Sequence, residues 1–184
     1  MATQPQTGLN YADLAAFPED NLRRELIGGE LIVTAAPSFR HQRTVATLTA
    51  RLYAYAEEHG GEVLPAPFDV LFSEIDVVEP DVLFVAAASS DKIQERFIKG
   101  APDVVVEVSS PSTRRLELVR KRELYERFGV PEYWYVDLDA DRIEVYRLEG
   151  DRYAAPIIRG RGQTLASPIL PRWALEVDEV LGPD

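Results

Sequence analysis

The chain has 184 residues, 46% hydrophobic and 28% charged, which is the balance of a globular domain that buries about 70% of its unfolded-chain surface. It contains no cysteine, and this excludes disulfides, thiolate nucleophiles, iron–sulfur clusters and cysteine-ligated zinc. The formal net charge of −11 argues against a general polyanion binder, because such proteins usually present a basic face. Carboxylates that hold metal ions also contribute to that charge, and one segment is locally basic. Its cations are Arg114, Arg115, Arg120, Lys121, Arg122 and Arg127.

No apolar run approaches the roughly 20 residues that are needed to span a bilayer, so we expect no membrane segment. Residues 1–10 are polar and are predicted to be disordered. They lack a basic start followed by an apolar core, so we expect no secretion signal and a cytoplasmic location. Because no repeat, linker or low-complexity segment is visible, residues 11–184 are predicted to form one domain.

In chain order, residues 11–17 predict a short helix. Two apolar runs between residues 24 and 33 flank Gly28-Gly29, which is the signature of a hairpin with a two-residue turn. Ser38 is the predicted N-cap of a helix that continues to His59 and ends at Gly60-Gly61.

The middle of the chain predicts short strands. Residues 62–65 and 68–72 are predicted to be adjacent strands. Residues 80–85 form an apolar run that opens with Pro80-Asp81, and residues 86–100 are small and polar, with about one helical turn. The apolar stretch 101–111 predicts a strand that is buried on both faces.

The C-terminal third begins with a helix, capped by Ser112 or Thr113 and ending at Phe128-Gly129. The strands that follow are predicted at 132–137, 142–147 and 151–158, and a short helix at 177–181. The fold class is therefore mixed α/β, with a largely antiparallel sheet flanked by helices.

Glu107 is out of place in this pattern, because it stands in the middle of the buried valine strand. Burying a carboxylate costs several kcal/mol unless a cation or hydrogen bonds compensate. A structural ion pair with an arginine is one explanation, and a metal ion is another.

Asp81 and Lys121 are the candidate companions of Glu107. Asp81 stands at the mouth of a buried strand, where it either caps a turn or faces a site. Lys121 shares a helical stripe with Leu118, Tyr125 and Phe128, so we expect it to point toward the sheet. Two carboxylates suit Mg²⁺ or Mn²⁺, and a lysine can orient the attacking water.

Six short motifs in this order resemble the Uma-two family, a branch of the PD-(D/E)XK nucleases with the restriction-endonuclease-like fold. The resemblance covers residues 24–181. The motifs are Glu25-Leu-Ile-Gly-Gly-Glu30, Pro37-Ser-Phe-Arg-His41, Pro80-Asp81, Glu107-Val-Ser-Ser-Pro-Ser112, Lys121-Arg-Glu-Leu-Tyr125 and Gly129-Val-Pro-Glu-Tyr-Trp134.

The resemblance implies a Mg²⁺-dependent endonuclease acting on DNA, with Asp81 and Glu107 as metal ligands and Lys121 as the catalytic lysine. Ser109 stands where the superfamily pattern has its lysine, and in this branch Lys121 on the following helix matches that place. Glu25 and His41 fall in family motifs, where they either complete the site or serve the hairpin and the helix.

The alternative function is a catalytically inactive nuclease fold that acts as a binding or assembly module. The net charge and the serine at position 109 favour it. Cleavage requires the aspartate, the glutamate and the lysine to converge in an open cleft. A homodimer is also expected, with residues 133–135 and the C-terminal segment as its surface.

Overall fold

The computed structural model describes residues 6–18, 20, 22–34, 36–109 and 116–183. Its strands form a five-stranded sheet, a seven-stranded sheet and a two-stranded ribbon, and all but two of the strand pairings are antiparallel. The predicted mixed α/β class is confirmed.

The five-stranded sheet has the order β2-β1-β5-β4-β7. Its strands are β1 (Arg23–Ile27), β2 (Glu30–Thr34), β4 (Asp69–Ser73), β5 (Asp76–Val78) and β7 (Phe97–Lys99). The predicted hairpin joins β1 to β2, and both residues of its turn, Gly28 and Gly29, have positive φ, which favours glycine there.

The seven-stranded sheet carries the centre of the fold. It has the order β11-β10-β9-β8-β6-β3, and β12 also pairs with β10. Its strands are β3 (Glu62–Pro65), β6 (Val82–Val85), β8 (Val104–Val108), β9 (Glu132–Asp137), β10 (Arg142–Glu149), β11 (Arg152–Tyr153) and β12 (Ile157–Gly160). The ribbon pairs β13 (Thr164–Ala166) with β14 (Ala174–Glu176).

The helices are α1 (Tyr11–Ala15), α2 (Phe39–His59), α3 (Arg122–Arg127) and α4 (Val177–Leu181), with a 3₁₀ segment at Ala87–Lys92 and a π-helical segment at Leu116–Lys121. Ser38 caps α2 as predicted, because its hydroxyl oxygen accepts a hydrogen bond from the His41 N–H at 3.2 Å. None of the helices in the described ranges is long and apolar enough to cross a membrane.

Strand β8 is buried on both faces, as predicted. Val104, Val106 and Val108 face the core under α2 and α4, whereas Val105 faces the core that contains Leu124 and Tyr125 of α3. Because side chains alternate along a strand, Glu107 lies on the same face as Val105, toward α3.

Several predictions about the elements are wrong. Strands β3 and β4 are not adjacent, since they belong to different sheets. Strands β5 and β7 were not predicted, because each has only three residues and their pairing partners are distant in sequence. Residues 1–5 of the segment predicted to be disordered lie outside the described residues, whereas Gln6 and Leu9 of the same segment hydrogen-bond to the β1–β2 hairpin. The proposed caps Ser112 and Thr113 lie outside the described residues.

The aromatic part of the predicted dimer surface is also wrong, whereas the C-terminal segment stays a prediction. Tyr133, Trp134 and Tyr135 are fully buried, because β9 lies between β8 and β10 in the seven-stranded sheet. Their aromatic character fills the core and cannot supply an interface.

Candidate active site

The pairing of β6 with β8 brings the two predicted metal ligands together. Val82 pairs with Val106 and Leu83 with Val105 in antiparallel register, so Asp81 stands opposite Glu107 when the register is extended by one residue. Residues opposite each other on antiparallel strands point to the same face of the sheet. The two carboxylates therefore converge on one side of the sheet.

Glu107 is fully buried and well provided with partners on one of its oxygens. Oε1 lies 2.8 Å from Lys121 Nζ and accepts a hydrogen bond from the Tyr125 hydroxyl at 2.5 Å. Oε2 accepts no hydrogen bond from any described residue and lies 3.5 Å from Arg23 Nη2. One oxygen of Glu107 is thus held by α3 and the segment before it, while the other is held by no hydrogen bond.

Lys121 forms ion pairs with two glutamates. Its ammonium lies 2.8 Å from Glu107 Oε1 and 2.7 Å from Glu25 Oε1, and the residue is 1% exposed. The predicted inward orientation is confirmed. Lys121 stands where the π-helical segment passes into α3, and such π-helical turns are frequent at functional sites.

Glu25 belongs to the same cluster. It is 1% exposed, and its Oε1 also accepts a hydrogen bond from the Glu79 N–H at 2.8 Å. Its Oε2 is buried and accepts no hydrogen bond within the described ranges. Of the two roles that the sequence left open for Glu25, contact with the site is the one that the geometry favours.

Asp81 does not simply cap a turn, because its side chain reaches across to β8. Oδ2 accepts a hydrogen bond from the Val108 N–H at 2.7 Å and lies 3.2 Å from His41 Nε2. Oδ1 accepts from Arg23 Nη1 at 2.7 Å. His41, in the first turn of α2, therefore also lies at the site.

Arg23 is a member of the cluster that the sequence analysis missed. Its guanidinium contacts Asp81 and lies 3.5 Å from both Glu25 Oε1 and Glu107 Oε2, and it donates to the backbone carbonyl of Glu79. A signal was available in the sequence: residues i and i+2 of a strand share a face, so Arg23 must accompany Glu25.

The expected open cleft is not found. Asp81, Glu107 and Lys121 converge, but none of them is more than 2% exposed. The side chain of Arg23, which contacts Asp81, is 20% exposed, whereas that of Asp81 is 3% exposed. The carboxylates are therefore packed against an arginine and are not open to solvent.

The two predicted ligands have opposite pKa shifts. Burial alone would raise the pKa of the Asp81 carboxyl, but the hydrogen bond from His41, the charge of Arg23 and the Val108 N–H together hold it below its usual range. Burial raises the pKa of Glu107. Lys121 opposes this shift, and the negative charge of Asp81 adds to it. Asp81 is accordingly the firmly ionised member of the pair.

Residues 11–178 match the model of a family described as "Uma2: Putative restriction endonuclease". This chain belongs to the Uma2 family. A solved structure from Anabaena variabilis, titled as a "putative nuclease belonging to DUF820", has a TM-score of 0.79 to this Uma2 chain at 15% sequence identity. The alignment covers 94% of this chain and 97% of that one, which shows a shared fold. None of the curated proteins matches the sequence.

The residues of this Uma2 site fit a hard divalent cation in their chemistry. Carboxylate oxygens are the ligands that Mg²⁺ prefers, and the buried Oε2 atoms of Glu25 and Glu107 accept no hydrogen bond from the described residues. The described part of the chain nevertheless contains no group of three or more His, Asp or Glu side chains arranged to hold a metal ion. The donors are present, and Arg23 lies among them.

Ser109, at the position of the superfamily lysine, serves the fold of this Uma2 chain. It is 4% exposed, and its hydroxyl oxygen accepts a hydrogen bond from the Leu138 N–H at 2.9 Å. The lysine nearest to the carboxylates comes instead from the helical segment, at position 121.

The basic segment forms no unpaired positive face within the described ranges. Arg120 pairs with Glu30, and Arg127 pairs with Asp76. Arg122 lies over the ring of Tyr146. Arg114 and Arg115 lie outside the described residues.

Tyr125 is the second site residue that the sequence pattern did not indicate. Its place in the apolar stripe of α3 predicts core packing, and it does pack there, but its hydroxyl also reaches Glu107. Its spacing of four residues from Lys121 could have revealed this, since residues i and i+4 share a helix face.

Proposed function

We propose that this Uma2 protein is a Mg²⁺-dependent endonuclease that hydrolyses phosphodiester bonds in DNA. The observation that carries the proposal is the position of the Lys121 ammonium, within 2.8 Å of one buried glutamate and 2.7 Å of another, beside a strand pair that presents Asp81 and Glu107. The family description points to the same class of reaction.

In this proposal Asp81 and Glu107 would hold the metal ion, either Mg²⁺ or Mn²⁺. A bound metal of this kind polarises the phosphodiester and lowers the pKa of a bound water. Lys121 orients the attacking water and stabilises the negative charge that develops on the phosphate. Glu25 holds the ammonium of Lys121 in place, and His41 fixes the carboxylate of Asp81.

The partners in the proposal are duplex DNA and a second copy of the chain, since two sites are needed to cut two strands in one encounter. The proposed location is the cytoplasm. The aromatic strand cannot supply the dimer surface, because it is buried, so the C-terminal segment is the part of the predicted surface that stays in the proposal.

The test is cleavage of plasmid DNA with Mg²⁺ or Mn²⁺ by the wild-type protein and by Glu107→Gln. The substitution keeps the shape of the side chain but removes its charge, so we expect cleavage to be lost while the circular dichroism spectrum is kept. Glu144→Gln is the matched control, because Glu144 is also buried (6% exposed) but pairs with Arg142 on β10. Cleavage that persists in Glu107→Gln would remove this glutamate from the mechanism.

The second candidate function is a nuclease fold without catalysis that serves as a binding or assembly module. Two observations favour it specifically. The carboxylates are at most 2% exposed, so cleavage would first require the closed site to open, and Arg23 already neutralises part of their charge. This alternative predicts no cleavage with any divalent metal and no effect of Mn²⁺ on the melting temperature. A preformed metal site would instead raise that temperature, because a ligand that binds only the folded state stabilises it.

A further inference from the structure

Arg23 approaches three acidic side chains of the site with one guanidinium group. Its Nη1 lies 2.7 Å from Asp81 Oδ1, and its Nη2 lies 3.5 Å from one oxygen each of Glu25 and Glu107. Nη2 also donates to the Glu79 carbonyl oxygen. One guanidinium therefore stands among three carboxylates from three different strands or strand ends.

The neighbouring arginine provides the comparison. Arg24, on the opposite face of β1, pairs with Asp20 through two hydrogen bonds of 2.7 and 2.6 Å and lies over the ring of Phe17, with its side chain 13% exposed. Both arginines are therefore ion-paired. Only Arg23 is paired with the residues that are proposed to hold the metal.

The balance of charge explains why the arginine is there. When Asp81, Glu25 and Glu107 are all ionised, Lys121 alone would leave two negative charges uncompensated in a region that is almost free of solvent. Arg23 compensates one of them, and unpaired buried charges are strongly destabilising. A divalent cation would compensate both.

We propose that Arg23 holds the place of the metal ion in the metal-free protein, so that Arg23 and a divalent cation compete for the same carboxylates. This inference rests on the proposed function and adds a residue that controls access to the site. The guanidinium and a divalent cation cannot both lie among these carboxylates, because like charges a few ångströms apart in a buried site repel each other.

The exit of Arg23 is toward the solvent. Its side chain is 20% exposed, whereas those of Glu25 and Glu107 are 1% and 0% exposed. It is also the first residue of β1, where the strand enters the sheet. Metal binding would thus move the arginine outward and open the carboxylates to a phosphate.

The first experiment is a titration of the full chain with Mn²⁺ alone. Binding is measured by calorimetry and by the loss of the free Mn²⁺ signal in electron paramagnetic resonance. If Arg23 occupies the metal position, the apparent affinity of the wild type for Mn²⁺ falls in proportion to the fraction of molecules in which that position is open. Arg23→Gln should then bind Mn²⁺ about tenfold more tightly or better, which corresponds to about 1.4 kcal/mol. Arg24→Gln is the matched control and should bind like the wild type.

A third variant separates occupation from net charge. Arg23→Lys keeps the charge but loses the planar fork that reaches separate carboxylates at once. Its affinity should move toward that of Arg23→Gln if occupation matters. Wild-type affinity in Arg23→Lys, or equal or weaker binding in Arg23→Gln, would overturn the inference.

If Arg23→Gln does not fold, the wild type itself gives the answer. Phenylglyoxal modifies accessible arginines, and peptide mass spectrometry can distinguish position 23 from position 24. We expect Mg²⁺ to increase modification of Arg23 relative to Arg24, and an unchanged ratio would overturn the inference.

The experiments can contradict the competition between Arg23 and the metal ion without contradicting the nuclease activity. Equal Mn²⁺ binding by the wild type and Arg23→Gln, together with metal-dependent DNA cleavage, contradicts the competition and leaves the nuclease intact. No Mn²⁺ binding by any variant and no cleavage contradicts both.

Discussion

Glu107 has the largest desolvation cost to compensate at the site, because it is a fully buried carboxylate in a strand of valines. Its Oε1 is stabilised by an ammonium and a phenol, whereas among the described residues its Oε2 has only the longer approach of Arg23. Such one-sided stabilisation agrees with the raised pKa of Glu107, which burial causes and Lys121 opposes. The unequal treatment of the two oxygens leaves one of them available to a ligand.

Tyr125→Phe tests how much of this stabilisation comes from the phenol. The substitution removes the 2.5 Å hydrogen bond to Glu107 and leaves the packing of the ring unchanged. Losing one hydrogen bond to a buried charged group costs about 1–3 kcal/mol, so we expect urea denaturation to give a free energy of unfolding lower by that amount. Tyr53→Phe, at a 53% exposed position, is the control, and equal effects of the two variants would contradict the expectation.

At the same scale, the sequence revealed some members of the site and hid others. Glu107 was visible because a carboxylate in an apolar strand is a local anomaly, and Lys121 because it interrupts an apolar stripe. Arg23 offered no such anomaly, since an arginine at the start of a hairpin is ordinary. Its partners are fixed only when the hairpin packs beside β6 and β8, which is a contact between segments about 60 residues apart in the chain.

At the scale of elements, local sequence signals predicted individual helices and turns, but they did not predict which strands pair. The helix from Ser38 to Gly60 and the glycine hairpin were predictable, because caps and turn residues act on their neighbours. The division into two large sheets was not predictable. It depends on β4 pairing with β5 and with the distant β7, and no periodicity within a short strand records its partner.

Gly61 tests how tightly α2 is joined to the seven-stranded sheet. It has φ +107, and a Cβ there would lie 2.8 Å from both the Phe84 ring and the Val85 carbonyl oxygen. Gly100 also has positive φ (+85), but a Cβ there would meet nothing within 4 Å. Gly100→Ala should cost about 1–2 kcal/mol from backbone strain alone.

Gly61→Ala should cost about 1–3 kcal/mol more than Gly100→Ala, because a crowded core must also rearrange. Melting temperatures of the two variants provide the measurement, and each kcal/mol corresponds to about 2–4 °C for a chain of this size. If the two alanine variants have the same melting temperature, the packing around Gly61, just before β3, is looser than its contacts indicate.

At the scale of the whole molecule, acidity is a property of the interior as well as of the surface. Asp69 and Glu79 are partly buried beside the hairpin and line a small pocket of about 170 Å³ with Tyr11, Phe17 and Arg24. Burial raises the pKa of Asp69 to about 6, with a further contribution from Glu25. Burial also raises the pKa of Glu79 to about 7, although Arg23 opposes it.

These raised pKa values predict how stability depends on pH. The pKa of Glu79 is near its ordinary value of 4.5 when the chain is unfolded and about 7 when it is folded, so the folded state binds more protons between these pH values. Its contribution to stability is therefore fully present below pH 4.5 and is lost as the pH rises to 7. Glu79→Gln, which carries no titrating group, does not lose it.

The melting temperature of Glu79→Gln, measured relative to the wild type, should accordingly rise between pH 5 and pH 8. Taking the difference between two proteins at each pH cancels the titration of shared groups that do not interact with Glu79, including Asp81, whose lowered pKa acts in the opposite direction. Glu95→Gln, at an exposed position, is the control and should show a constant difference. A constant difference for Glu79→Gln as well would mean that water reaches its carboxylate in the folded protein, because solvation would then keep its pKa near 4.5 in both states.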